Sequence, residues 1–202
     1  MKNSPKFSNV GSVKRFVFND VHARSPIAYC EIDTEEFTVA FKASVEFPSD
    51  LSKRMYAKLR TAHTGHIVFI TSARQLQPEQ GVSVATSVRN AATSLALSLA
   101  REAAECNIQV NVVQPNYLYS ELYSPKATNI NTAAGREEIS QQVHLGCLGQ
   151  PEELAELVEL FVTGRGAFTT RQLINFTGGW SYIVDTKKPV VACLFQFNLT
   201  LG

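Results

Sequence analysis

The sequence predicts an α/β fold built on a parallel sheet of about four strands with flanking helices. Short apolar runs of strand type fall at residues 15–19, 67–71, 107–113 and 172–177, and stretches with helical spacing lie between them. Strands that alternate with helices are joined by crossovers, and crossovers make neighbouring strands parallel. The 202 residues suffice for one domain, and the 45% apolar content is that of a globular protein. We expect a single domain over residues 1–202, with a polar lead-in at 1–14, the α/β core at 15–180 and a C-terminal extension at 181–202.

In chain order, Arg15-Phe-Val-Phe-Asn19 is a buried strand closed by Asn19 and Asp20. A connection containing Pro26 follows. Asp33 with Glu36 three positions on is an N-cap signature ahead of Phe37, Phe41 and Val45. Pro48 interrupts that spacing and Leu51, Met55 and Leu59 resume it, so we expect helix, kink, helix, stopped at Thr64-Gly65. The strand Ile67-Val-Phe-Ile-Thr71 delivers Ser72 to its carboxyl end. Residues 73–82 lack periodicity and predict a surface loop. A long helix is expected over Ser87 to Glu105, with Arg89 in its first turn and Ala91, Leu95 and Leu99 along one face.

Asn107-Ile-Gln-Val-Asn-Val-Val113 predicts the next strand and leads into Gln114-Pro-Asn-Tyr-Leu118. Residues 118–142 are polar and predict a lid or loop. Pro151 sits in the first turn of an amphipathic helix, and the strand Gln172-Leu-Ile-Asn-Phe-Thr177 ends in Gly178-Gly179. In the tail, Phe195, Phe197, Leu199 and Leu201 alternate with polar residues, the pattern of an extra C-terminal strand.

Net charge of +1 and 18% charged residues give no field that would draw nucleic acid or an acidic membrane surface. The basic run Lys53, Arg54, Lys58 and Arg60 reads as a solvated helix face. No stretch reaches the roughly 20 apolar residues needed to cross a bilayer, and residues 1–15 carry no apolar signal core, so a cytoplasmic protein is expected. Cys30, Cys106, Cys147 and Cys193 show no metal-ligand spacing and read as reduced core thiols, with no metal expected. Asn198-Leu-Thr200 matches a glycosylation sequon, and without an export signal it reads as accidental.

Ser72 at a strand end, the count of thirteen that lands on Ala85, Arg89 four further on, and Pro115-Asn-Tyr-Leu118 after the next strand together resemble the short-chain dehydrogenase/reductase superfamily, and within it the halohydrin dehalogenases. The resemblance covers about Phe16 to Trp180. It implies a Rossmann-like sheet and a cofactor-free site in which Ser72 and a Tyr hold the substrate hydroxyl. Arg89 would lower the phenol's pKa, and Pro115, Asn116, Tyr117 and Leu118 would help bind halide. The Tyr is absent, and Ala85 stands at its position. Everything the family places before Phe16 is also absent, including the Gly-rich turn for a dinucleotide, and no G-x-G-x-x-G occurs in the sequence.

Three functions follow in order of expectation. The first is a degenerate relative without catalysis of its own, a truncated or spliced form. The second is a weak carbon–halogen lyase acting on vicinal halohydrins or epoxides through a small halogenated or hydroxylated ligand. The third is an NAD(P)-dependent oxidoreductase, which needs a phosphate cradle. A sheet lacking its central neighbours bares unpaired backbone groups at about 1–3 kcal/mol each when buried, against a total stability of about 5–15 kcal/mol. The C-terminal strand, a second copy or a partner chain is therefore expected to cover that edge.

Overall fold

Four parallel strands lie in the order in which the chain makes them: β1 (Arg15–Phe18), β2 (Gly65–Ile70), β3 (Ile108–Pro115) and β4 (Leu173–Phe176). The computed structural model describes residues 14–19, 26–119 and 132–180. The predicted C-terminal strand, Asp20, Cys193 and most of the lead-in fall outside those residues.

Phe18 pairs with Phe69 across β1 and β2, their rings stacked 4.5 Å apart, and Phe69 lies beside Val112 of β3. Ile67, Phe69, Ile108, Val110 and Val112 face one side of the sheet, where the larger core forms. Val68 and Val113 face the other side and meet Val158 and Phe161 of α5 (Pro151–Val162). Period-two alternation thus sorts each strand between two helical layers. Ile67, Val68 and Val112 are at most 1% exposed, so the sheet centre is dry on both faces.

Between β1 and β2 the chain forms two α-helices joined without a break by a wider turn just ahead of Pro48. Helix α1 (Thr34–Phe41) is capped by Asp33, whose carboxylate accepts the Glu35 N–H at 3.0 Å. It runs through a π turn (Lys42–Glu46) into α2 (Phe47–Ala62), with Pro48 in the first turn of α2. Proline has no N–H for the carbonyl four residues back and its ring crowds that carbonyl; the wider turn ahead of Pro48 relieves both. The turn also keeps Ala40, Ser44, Pro48 and Ser52 buried in line at spacings of four, where a 3.6-residue repeat would drift off the core. His63, at φ 47°, ends α2 in the left-handed conformation, ahead of the predicted stop at Gly65.

Helix α3 (Ser83–Ala103) begins four residues earlier than predicted. The residues it buries are Val88, Ala92, Thr93, Ala96, Ala100 and Ala103, while Ala91, Leu95 and Leu99 lie half-buried on its flank. Alanines let the helix backbone approach β3 closely, and that packing overrides the weak helical propensity of Ser83-Val-Ala-Thr-Ser87. The polar stretch after β3 holds a helix, α4 (Ala133–Ser140), where a loop was expected. Helix α5 opens with Pro151 at its start and a reciprocal cap between Gln150 and Glu153.

Lys53, Arg54, Lys58 and Arg60 are exposed, as a solvated face requires. Cys30 and Cys147 are exposed and Cys106 is half-buried, so these three are free thiols but not core residues. Among the described residues, no helix is long and apolar enough to cross a membrane.

Candidate active site at the carboxyl end of the sheet

At the end of β2 the backbone of Thr71 still donates to the Val113 carbonyl at 2.9 Å, which carries the strand geometry up to Ser72. Ser72 is extended, and its Oγ accepts the Arg74 N–H at 3.2 Å, closing a short 3-10 turn over Ala73–Gln75. The Ser72 hydroxyl oxygen therefore also serves the fold. Salt-bridged Arg74 and Glu79, 3.5 Å apart, span the loop that follows.

Because α3 starts at Ser83, Ala85 occupies its first turn and Arg89 its second, a correction to the expected placement of Arg89. Four residues apart on one helix, they share a face, and both border a hollow whose other walls include Ile27, Ile32, Val82, Val88 and Glu36. The segment before α1 is pinned over this hollow by the Ile27 N–H, which donates to the Gly81 carbonyl at 2.9 Å. Arg89 reaches the other way with Nη1, donating to the carbonyls of Ile70 at 3.3 Å and Thr71 at 3.2 Å. The guanidinium thus caps the end of β2 next to Ser72.

Beneath Arg89 lies a buried hydroxyl–amide cluster that the sequence reading did not single out. Thr93 Oγ1 donates to the Arg89 carbonyl at 2.9 Å and lies 2.9 Å from Thr71 Oγ1. Gln114 Nε2 donates to both threonine oxygens at 3.2 Å. Thr71, Thr93 and Gln114 are at most 4% exposed, so the cluster locks the ends of β2 and β3 to α3 in a dry setting. Its signal in the sequence was polarity out of place, with Thr93 between Ala92 and Ala96 and Gln114 continuing the inward positions of Val110 and Val112.

The loop after β3 is stapled on two sides. Asn116 N–H donates to the Phe176 carbonyl at 3.1 Å, and Leu118 bridges to Gly149. Tyr117 takes the left-handed conformation at φ 55°, its ring 5.5 Å from that of Trp180 and its hydroxyl donating to Gln142 Oε1 at 2.7 Å. Burial raises the Tyr117 phenol above its ordinary value and Glu79 adds to the rise, while Arg74 and a hydrogen bond with Trp180 act in the opposite direction. A raised phenol that already donates its proton is a hydrogen-bond donor at neutral pH, not a base.

The sheet end therefore brings Ser72 next to Arg89 and sets Ala85 with Arg89, while Pro115 to Leu118 close the adjoining strand end. No ionisable group stands at Ala85. The hydroxyls of Ser83 and Thr86 and Oε1 of Gln75 are buried without a hydrogen-bond partner among the described residues, but hydroxyls are poor bases without a stronger one beside them. His66 lies at the opposite end of the sheet, paired in register with Arg15.

Gly178 and Gly179, at φ 58° and 93°, are packed against Val143 and His144, whose atoms would lie 2.5 Å and 2.8 Å from an added Cβ. These glycines serve a tight chain crossing. Among the described residues no three His, Cys, Asp or Glu side chains gather as a metal site would need.

The family model described as Enoyl-(Acyl carrier protein) reductase matches residues 9–181. A tropinone reductase homolog of Arabidopsis thaliana is 30% identical over 149 residues, 74% of this chain and 56% of that protein. A second, described as chloroplastic, is 29% identical over 151 residues, 75% of this chain and 46% of the relative. The chain thus spans about half the length of these relatives. Among solved structures, a halohydrin dehalogenase bound to ethyl (2S)-oxiran-2-ylacetate is 28% identical, with a TM-score of 0.79 over 85% of this chain and 70% of that one. A gluconate 5-dehydrogenase from Burkholderia cenocepacia, in complex with NADP and tartrate, shares the fold with a TM-score of 0.78 at 18% identity. The parallel sheet and the match over residues 9–181 agree, and the chain belongs to the short-chain dehydrogenase/reductase superfamily.

Proposed function

We propose that this chain is a degenerate member of the superfamily, of halohydrin-dehalogenase type, that binds a small hydroxylated or halogenated ligand at Ser72, Arg89 and Pro115 to Leu118 without turning it over. One observation carries the reading: a methyl group, Ala85, stands one helical turn from the Arg89 cation in the hollow they share. Closing an epoxide from a vicinal halohydrin requires a base that takes the hydroxyl proton as the carbon–halogen bond breaks and halide leaves. A Tyr near pKa 10 can be brought into that role by an adjacent cation. Ala85 cannot, and Tyr117, held protonated by burial and its bond to Gln142, does not replace it.

The deciding experiment is halide release from a simple vicinal chlorohydrin by the 202-residue chain and by Ala85→Tyr. The parent is expected to release none and the variant to gain measurable turnover. Turnover in the parent would replace this reading with that of a weak carbon–halogen lyase. A rise in melting temperature with NADP would replace it with that of an oxidoreductase.

Among the described residues β1 is an edge strand, and Val17 is 45% exposed there. That edge supports pairing with further chain: the C-terminal extension, a second copy or a partner.

A further inference from the structure

The hollow between the amino ends of α1 and α3 has walls unlike the polar strand ends beside it. Ile27 and Ile32, from the segment before α1, line it together with Val82, Val84, Ala85 and Val88. Glu36 and Arg89 carry the only polar side chains in the wall among the described residues, so the surface it offers is mostly carbon. The wall before α1 is fixed by a close crossing. Gly81 has φ 80°, and a Cβ there would lie 2.9 Å from the Pro26 Cβ. A glycine therefore lets the two segments meet, and the Ile27 N–H reaches the Gly81 carbonyl at 2.9 Å.

The volume is about 40 Å³, against about 30 Å³ for a water in the liquid. Water in such a space finds few partners, and replacing it with carbon is favourable. We propose that the hollow is a subsite for a short alkyl group at the far end of a ligand. The walls decide what is turned away. A hydroxyl, a phosphate or a free halide would give up its hydration for a lining that is carbon on nearly every side. The far end of the ligand is therefore that of a simple aliphatic chain, not of a polyol or a phosphate ester.

Arg89 links this subsite to the polar end of the site. It borders the hollow and donates to the Thr71 carbonyl, one residue from Ser72. The subsite deepens the ligand-binding reading above and rests on it only for the position of the ligand's hydroxyl.

Methyl NMR of the full chain tests it with probes that share a three-carbon skeleton. Propyl chloride, which has no hydroxyl for Ser72, is expected to shift the methyl signals of Val84, Ala85 and Val88 saturably, with a Kd no tighter than roughly 1 mM for so few atoms. Glycerol, with a hydroxyl on every carbon, and bromide should leave those signals in place at equal concentration. Ala85→Leu fills the hollow and should abolish the shifts at Val84 and Val88 while melting no lower than the parent. Ile27→Ala strips the opposite wall and should weaken propyl chloride about three- to ten-fold. No saturable shift in the parent, equal shifts from glycerol or bromide, shifts that survive Ala85→Leu, or unchanged affinity in Ile27→Ala would each overturn the subsite. Ser72→Ala separates the two readings, since it should weaken n-propanol and leave propyl chloride unaltered. If n-propanol also binds unaltered there, the polar end is misplaced and the hollow stands.

Discussion

The two ends of the sheet treat buried polar atoms in opposite ways. Toward the amino end, Asn111 is 1% exposed and both ends of its amide are engaged: Nδ2 donates to the Thr169 carbonyl at 2.8 Å and Oδ1 accepts the Gln172 N–H at 3.1 Å. Thr170 Oγ1 accepts the Val110 N–H at 3.1 Å beside it. At the carboxyl end, Gln75, Ser83, Thr86, Gln114, Asn116 and Asn175 each keep a buried polar atom with no partner among the described residues. His66 Nδ1 is the exception at the amino end. Among the described residues, hydrogen bonding is completed where the chain holds β4 in place and is left incomplete where strands end and helices begin.

The amino end should break hardest. Asn111→Leu removes both bonds of a buried amide, leaving the Thr169 carbonyl and the Gln172 N–H, each part-buried, without that partner, and is expected to cost about 3 kcal/mol, read as a lowered urea midpoint. An effect below that of any Arg89 variant would mean the amino end is not the better-satisfied one.

Arg89 comes next. Arg89→Met removes charge-assisted bonds to two carbonyls and should cost about 1.5–3 kcal/mol. Arg89→Lys should recover part of it, since a point charge on a single stem cannot reproduce the guanidinium fork. If Met were neutral in urea unfolding, the strand-end cap would have no energetic role and Arg89 would be held for its ligand alone.

The smallest effect lies with His66. Burial, and secondarily Arg15, hold its pKa below the ordinary 6.5. The unfolded chain then takes up a proton more readily than the folded one below about pH 6.5, so stability is full above that pH and falls as the pH drops from 6.5 toward the lower folded value. His66→Gln should flatten this part of the stability–pH curve in urea titrations at successive pH values. An unaltered slope would place the proton uptake on another group.

Much of the fold was legible because apolar periodicity survives translation into structure. The runs at Arg15, Ile67, Ile108 and Leu173 became the four strands, and the order of strand and helix required parallel pairing. Helix details were less legible where packing outvoted propensity. The start of α3 at Ser83 and the choice of Ala92, Ala96 and Ala100 over Leu95 and Leu99 as its inner face depend on how closely the helix approaches β3. The π turn had a visible cause in Pro48, yet a wide turn and a kink answer the same missing N–H. For the candidate site, Ser72, Ala85 and Arg89 were singled out by spacing that resembles a known family's, while Thr93 and Gln114 were passed over because each is unremarkable alone and becomes a cluster only when β2, β3 and α3 converge.

The sequence alone determined which chemistry is present at the carboxyl end of the sheet: a serine, an arginine one turn beyond an alanine, and no ionisable group at that alanine. It did so because residue identity and helical spacing are local. Only the tertiary structure decided how that chemistry is disposed. It set Arg89 on the carbonyls of Ile70 and Thr71, placed the Tyr117 phenol beside Trp180 and Gln142, where burial raises its pKa, and buried Ser44 on the inward side of the π turn. Hydrogen-bond partners and desolvation depend on segments far apart in the chain meeting in a dry space, which no local pattern encodes.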